Sequence, residues 1–526
     1  MKIAPSLRIS YRYILAGLSI AFASLSCSIG ASQPTGPFFT PPSNQGAVLS
    51  STQMPVQETQ ETHLTSVENQ VTEDAPVILP TPEVTETSRP PLLYYTQAGD
   101  TLPVVAVRFG VEESEITSPD PIPATALFKP NQLLIIPNRL ANTTYPEKLL
   151  PDSEVVNSPS AGDFDVDAFV SEAGGYLSTH KEWLGTTNWT TGAEIVERVA
   201  LENSINPRIL LALLEYQSGW VYGQPSNLAL TDYPMGVIES NHKGLYQQLA
   251  WAVNQLSIGY YGWREGLLTE IQFSDGVTAR LAPELNAGTV ALQYYMAQVY
   301  DTTGWVSALD ASTGFPALYE KMYGSPWMRA YEVEPLYPPD LTQPRLVLPF
   351  FFGQVWSYTG GPHGAWEHDG AQAGIDLAPA ADHPGCYDSD VWALASAPGL
   401  VVRSGNGVVT IDLDGDGLEQ TGWVLLYLHL ADKDRIQAGK WVESGDLLGH
   451  PSCEGGYASG NHIHFARKYN GEWIAADGPL PINLSGWIVH AGTKPYLGTM
   501  TQDGETITAS TVGSYESRII RSREEP

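Results

Sequence analysis

Ser459-Gly-Asn-His-Ile-His-Phe465 sets two histidines two residues apart in a β-forming run. On a strand, residues two apart share a face, so His462 and His464 point into one groove. Outward from this stretch, Tyr427-Leu-His-Leu430 places a third imidazole, His429, at the end of an apolar strand, and Gly374-Ile-Asp-Leu377 supplies the carboxylate of Asp376. Zinc accepts imidazole nitrogen and carboxylate oxygen, and a catalytic site needs three protein ligands plus an open position for water. A lone histidine is more often a packed or surface residue. Three of them with an aspartate on neighbouring short strands point to a zinc site.

The block around these residues, 345–500, reads as antiparallel β. Leu400-Val-Val-Arg403, Gly407-Val-Val-Thr-Ile411 and Trp423–Leu430 are short β-rich runs separated by Asp-Gly and Gly-rich turns. Upstream the period changes. Ile195–Ala200 and Arg208–Gln217 carry apolar residues at three and four spacing, as do 245–257 and 288–300, so 163–335 reads as helical. A smaller block spans 93–139. Residues 28–92, rich in Pro, Thr, Ser, Gln and Glu, read as a disordered tether. Residues 140–162 read as a linker, Glu334–Pro344 as a Pro-rich break and 501–526 as a loose polar tail. The expected fold class is multidomain α+β.

Composition narrows the function. The 526 residues hold 27 Lys plus Arg against 58 Asp plus Glu, a formal net charge of −31. Phosphate backbones are held by Lys and Arg, so nucleic acid is not an expected partner. The acidity sits mostly on the two large folded blocks, so binding to an anionic surface cannot rest on charge. At the N-terminus, Lys2, Arg8 and Arg12 precede the apolar run Tyr13–Ser26, the pattern of an export signal over 1–27 that is too short for a standard membrane span. Ser24-Leu-Ser-Cys27 resembles a bacterial lipobox, with Ser24 where leucine is usual; it implies lipidation of Cys27 and a membrane-anchored envelope protein. Cleavage near Ile29-Gly-Ala31, giving a secreted protein, is the alternative. Outside the cytoplasm the remaining cysteines, Cys386 and Cys453, become candidates for a disulfide that braces the groove.

Two resemblances lie upstream of the β block. Tyr95, Gly99-Asp-Thr-Leu102, a helix to Phe109-Gly110 and a closing Leu134-Ile-Ile-Pro137 resemble a small βααβ LysM module. This implies binding of N-acetylglucosamine-containing glycan, here peptidoglycan, with Gly99, Asp100 and Thr101 as candidate contacts. Asp100 or Thr101 is also the expected helix N-cap. Asn206–Trp220 resembles the catalytic helix of lysozyme-like lytic transglycosylases, but Gln217 stands at the position of the acid. Glycoside cleavage needs a carboxylic acid to protonate the leaving oxygen, which an amide cannot supply. Glu215, about 200° away around the helix, points elsewhere. The expected role is glycan holding or structural, with Tyr260, Tyr261 and Trp263 as stacking candidates and the core as their other destination.

The strongest resemblance is that of 345–485 to the M23 peptidases, zinc endopeptidases of the lysostaphin and β-lytic type that cut peptidoglycan cross-links. It rests on Ala373-Gly-Ile-Asp376, Leu428-His-Leu430, Ser444–Gly449 and Asn461–Phe465. Most members have His four residues before the metal Asp, where this chain has Gln372. A β-lytic-like subset uses a His about a dozen residues upstream after a Gly-rich turn, matching Gly360-Gly-Pro-His363. The resemblance thus implies His363, Asp376 and His464 as ligands of one zinc ion, with His368 the competing candidate. It also implies His429 and His462 as the non-ligand histidines that orient water and stabilise the oxyanion. Asp412-Leu-Asp414-Gly-Asp416-Gly417 resembles the start of a calcium loop, yet its twelfth position is Trp423, so a hairpin turn is expected and calcium is not. The expected function is an exported endopeptidase acting on peptidoglycan. Its rivals are a non-catalytic wall-binding protein and a glycan-cleaving helical block.

Overall fold

The computed structural model describes residues 89–338, 340–381 and 385–522. The export signal, Cys27 and nearly all of the 28–92 tether lie outside the described residues. No helix among the described residues is long and apolar enough to cross a membrane.

In the first block, Leu92–Tyr95 pairs antiparallel with Leu133–Ile136, and the helix Leu102–Phe109 packs beside them. The second helix expected of a βααβ unit is a single 3-10 turn, Glu113–Glu115. The expected side-chain cap is absent. Thr101 occupies the N-cap position without capping anything, and Asp100 takes the Tyr94 hydroxyl at 2.6 Å and the Arg108 guanidinium at 2.7 Å. A buried cation outcompetes the backbone N–H groups for that carboxylate.

The middle block is helical, as its spacing predicts. Thr191 and Glu194 form a reciprocal capping box at the start of the helix Gly192–Asn203. Asn206 caps Pro207–Ser218 through the Arg208 N–H, with Pro207 in the first turn, where its missing donor costs nothing. The long helix Leu245–Arg264 packs along Ala287–Val299. The supposed linker 140–162 is corrected in its second half. Leu150, Val155 and Val156 are core residues, and the buried Glu154 accepts from the Tyr319 hydroxyl and from Arg329. Polar residues read as linker here because their buried partners lie more than 160 positions away.

The last block is built on an antiparallel sheet. Its strands run in the order Trp441–Val442, Gly399–Gly405, Val408–Asp412, Trp423–Leu428, Ile463–Tyr469, Gly374–Pro379, Val355–His363 and Arg518–Ile520. A second sheet holds Asn483–Leu484, Trp487–Ala491, Gly498–Gln502 and Glu505–Thr508. The tail beyond 500 is therefore folded rather than loose: Arg518–Ile520 pairs with Val355–Ser357 and buries Ile519.

Side chains alternate across the main sheet. Ile375, Leu377, Leu425, Tyr427, Ile463 and Phe465 fill the core on one face. Leu426, Leu428 and Ala466 emerge on the other and join the same hydrophobic cluster as the helices. Asp376 and His464 share the parity of this second face, so the metal-site residues lie at the seam between helices and sheet. Tyr260 and Tyr261 are buried in this seam and Trp263 against Arg108 of the first block, so none of the three is a glycan-stacking surface. Tyr260 donates to Glu472 at 2.9 Å, and the Tyr261 hydroxyl accepts the Trp473 N–H at 3.0 Å.

Candidate metal centre

Strand pairing assembles the site. His464 lies directly opposite Asp376. Val355–His363 pairs on the far side of Gly374–Pro379, with register shifts between Tyr358 and Gly360 and again between Gly360 and His363. Such irregularities re-aim a strand's side chains. Here they bring His363 Nε2 to 2.9 Å from His464 Nδ1 and 3.2 Å from Asp376 Oδ1, while His464 Nδ1 lies 3.2 Å from that same oxygen.

The opposite ring nitrogens settle the tautomers. His363 Nδ1–H donates to the Gly361 carbonyl at 2.8 Å, and His464 Nε2–H donates to the Ala365 carbonyl at 3.0 Å. A carbonyl only accepts, so each ring keeps a lone pair on the nitrogen facing its partner. Two lone pairs and a carboxylate oxygen therefore converge, buried, with no donor among them: an arrangement that calls for a cation. Zinc fits the donor set, since a tetrahedron with metal–ligand bonds of about 2.0–2.1 Å has edges of about 3.3 Å.

The three residues lie in a cleft of about 540 Å³ that His429 and His462 also line. His429 follows the strand Trp423–Leu428 with φ +68° and donates from Nδ1 to the Glu454 carbonyl at 2.8 Å. His462 donates from Nδ1 to the Gly460 carbonyl at 2.8 Å. Both Nε2 atoms are left as acceptors, and the two rings lie 4.5 Å apart. Burial, reinforced by His462, pulls the His429 pKa down to about 3, so this imidazole is neutral at neutral pH.

His368 stays on the cleft rim, exposed and paired with Asp369. Gln372 bonds the Gly370 carbonyl and takes no part in the cleft. Cys386 and Cys453 are joined by a disulfide that ties together the two loops flanking the opening. Tyr496 is a residue that sequence reasoning missed. Its ring stacks on His363 with centroids 4.1 Å apart and lines the cleft. It reaches the site on a Lys-Pro-Tyr turn 32 positions beyond His464, where no motif points.

Elsewhere the structure separates the expectations. Gln217 is held by the Tyr300 hydroxyl at 2.8 Å, and Glu215 accepts the Val221 and Tyr222 N–H groups, so neither is placed as a catalytic acid. Of the candidate glycan contacts, Gly99 and Thr101 border a cavity that the helical block also lines. Asp100 and Thr101 are buried, and a Cβ on Gly99 would stand 2.7 Å from the Arg264 guanidinium of the helical block. Asp412, Asp414 and Asp416 bring their carboxylates together. Asp412 accepts the N–H groups of Asp414, Gly415 and Gly417, the bonding of a tight turn.

Comparison with known proteins adds three findings. Residues 148–338 match the family described as LasA, N-terminal domain. Protease LasA of Pseudomonas aeruginosa is 27% identical over 348 residues, covering 61% of this chain and 75% of that protein; in a second strain the match is 27% over 345 residues with the same coverage. Among solved structures, the M23 metalloprotease pseudoalterin, described as from the deep sea, is similar at TM-score 0.27 and 22% identity, covering 32% of this chain and 96% of that one. The catalytic domain of lysostaphin from Staphylococcus simulans is similar at TM-score 0.17 and 21% identity, covering 23% and 87%.

Proposed function

We propose that this chain is a zinc metalloendopeptidase that cuts the peptide cross-links of peptidoglycan outside the cytoplasm. The observation that carries the reading is the convergence of His363 Nε2, His464 Nδ1 and Asp376 Oδ1, with both tautomers locked by backbone carbonyls. The likeness to Protease LasA supports the reaction type.

Zinc bound by these three atoms supplies a Lewis acid and lowers the pKa of a water toward neutrality. The chain's own residues do the rest. His429 and His462 present Nε2 lone pairs to the cleft and would accept hydrogen bonds from the attacking water, orienting it. Their Nδ1 bonds keep the rings aimed, so no reorganisation is required as charge develops. Tyr496 holds the His363 ring flat against its own, and the Gly361 and Ala365 carbonyls fix the ligand tautomers. Export by residues 1–27, with lipidation at Cys27, places the enzyme at the wall. The LysM-like block contributes glycan affinity through its exposed side, which carries Leu93 and Tyr95.

The test is product analysis on purified peptidoglycan. New amino termini are expected, abolished by a chelator and restored by zinc, and His464→Ala is expected to lose both metal and activity. Reducing ends or anhydro-sugars without new amino termini would transfer the activity to the helical block and overturn the reading. So would full zinc occupancy in the His464→Ala protein.

A further inference from the structure

Away from the metal centre, two tryptophans stand in solvent. Lys181–Leu184 and Asn188–Thr191 form a hairpin that sets Trp183 opposite Trp189. Their rings are 58% and 67% exposed and meet edge-on, centroids 5.8 Å apart and planes at 81°. Exposed paired indoles are unfavourable in water and mark a surface that something covers. Trp189 also walls a second cavity of about 330 Å³, together with Thr187, Thr190, Arg198, Glu202 and Asn406. That volume is at the lower end of ligand sites, about 300–1,000 Å³.

This cavity adjoins the metal cleft across a shared wall. Tyr246, which lines the cleft, donates to Glu202 at 2.9 Å and lies under the Arg198 guanidinium at 4.9 Å. On the other side Gly455, also in the cleft, packs so closely on the β-turn at Asn406 that a Cβ would stand 2.5 Å from the Asn406 carbonyl. The cleft and the cavity that Trp189 walls are therefore neighbours.

We propose that Trp183, Trp189 and this cavity form a subsite for the glycan strand, binding a stretch of β-1,4-linked N-acetylated amino sugars beside the peptide held in the cleft. The inference rests on the peptidase reading and adds the glycan to its substrate. A pyranose has a C–H face that stacks on an indole, and two indoles at a steep angle receive successive rings of a twisted strand. Hydroxyl and acetamido groups need short neutral partners, and Thr187, Thr190 and Asn406 line the cavity. Charge selects among polymers. Glu194, Glu197 and Glu202 face Arg198 and Arg403, and Arg403 is engaged by Glu419 at 2.6 Å. A chain of net charge −31 with such a cavity repels polyanions and accepts an uncharged glycan.

The test uses the full chain and chitotetraose, with the indole N–H resonances assigned by Trp183→Phe and Trp189→Phe. The first block contains no tryptophan, so its own glycan binding leaves these two signals untouched. Millimolar chitotetraose is expected to shift both. The double variant Trp183→Ala/Trp189→Ala is expected to keep its kcat/KM on soluble, glycan-free stem peptides within about twofold. Its KM on insoluble peptidoglycan is expected to rise about tenfold. Unshifted indoles, shifts caused by polyphosphate in place of chitotetraose, or equal KM values on intact wall would overturn the subsite. Sugar binding needs no catalysis, so it stands or falls apart from the peptidase reading, which the release of new amino termini judges.

Discussion

Gly374 shows how little freedom the metal site leaves a single residue. A Cβ there would stand 2.1 Å from His464 Cε1, so Gly374→Ala is expected to push the ring aside and drop zinc from about one ion per chain to near zero, with the far-UV spectrum retained. Elemental analysis beside circular dichroism checks this. His429→Ala removes a water-orienting acceptor and no metal ligand. Its kcat is expected to fall by about 10²–10⁴ at unchanged zinc content, read from steady-state kinetics and metal analysis together. At this scale, Asp376 and His464 were legible because strand alternation alone decides which way they face. His363 was reached only by family likeness, because the two register shifts before it depend on how its strand pairs. Tyr496 was invisible, since stacking on a distant imidazole leaves no local pattern. Asp100 is buried because it pairs with Arg108, which in turn donates to the Trp263 carbonyl of the helical block, a packing that no local pattern announces.

Among the elements, the disulfide and the last strand carry the most consequence. Cys386–Cys453 spans 67 residues, a loop closure worth up to about 4 kcal/mol in the chain-entropy account. Cys386→Ser/Cys453→Ser is therefore expected to lower the unfolding midpoint and raise KM more than it lowers kcat, because the joined loops form the rim of the cleft and not its floor. Denaturant titration and kinetics on peptidoglycan check both parts. The strand Arg518–Ile520 completes the sheet edge beside Val355–His363, the strand that ends in a metal ligand. Its polar flanks made it look like tail, yet Ile519 is buried and the Ser517 carbonyl accepts the Tyr358 N–H at 2.7 Å. Helical spacing and β alternation exposed the architecture of both large blocks. Edge strands and buried loops escaped because three or four residues carry too short a period to read.

At the scale of the molecule, the helical block shares a core with one face of the peptidase sheet, and a buried charge network crosses between them. Arg264 donates to Asp152 at 3.0 Å and to Glu472 at 3.1 Å, and Glu472 also takes the Tyr260 hydroxyl. Arg264→Met strands two carboxylates in the seam and is expected to cost about 3–5 kcal/mol, seen as early unfolding of both blocks together in calorimetry. Glu367, on the cleft rim against the helices, has its pKa raised to about 7 by burial and by Glu202 and Asp369. The folded state therefore holds a proton there that the unfolded chain has released, so stability falls as pH rises from about 4.5 to about 7. Glu367→Gln is expected to flatten that slope, with the gain largest above pH 7, measured by thermal unfolding across the range. The amino-acid sequence by itself determined the helical and β blocks, the acidic exclusion of nucleic acid and most of the donor set, because periodicity, charge and strand parity are local properties. Only the tertiary structure decided which histidine meets Asp376, that Asp100 and Thr101 are buried in the first block and Tyr260 and Tyr261 in the seam, and that the cleft lies where helices meet sheet. Those outcomes depend on partners brought together from separate elements, selected by packing and by the cost of leaving a buried charge alone.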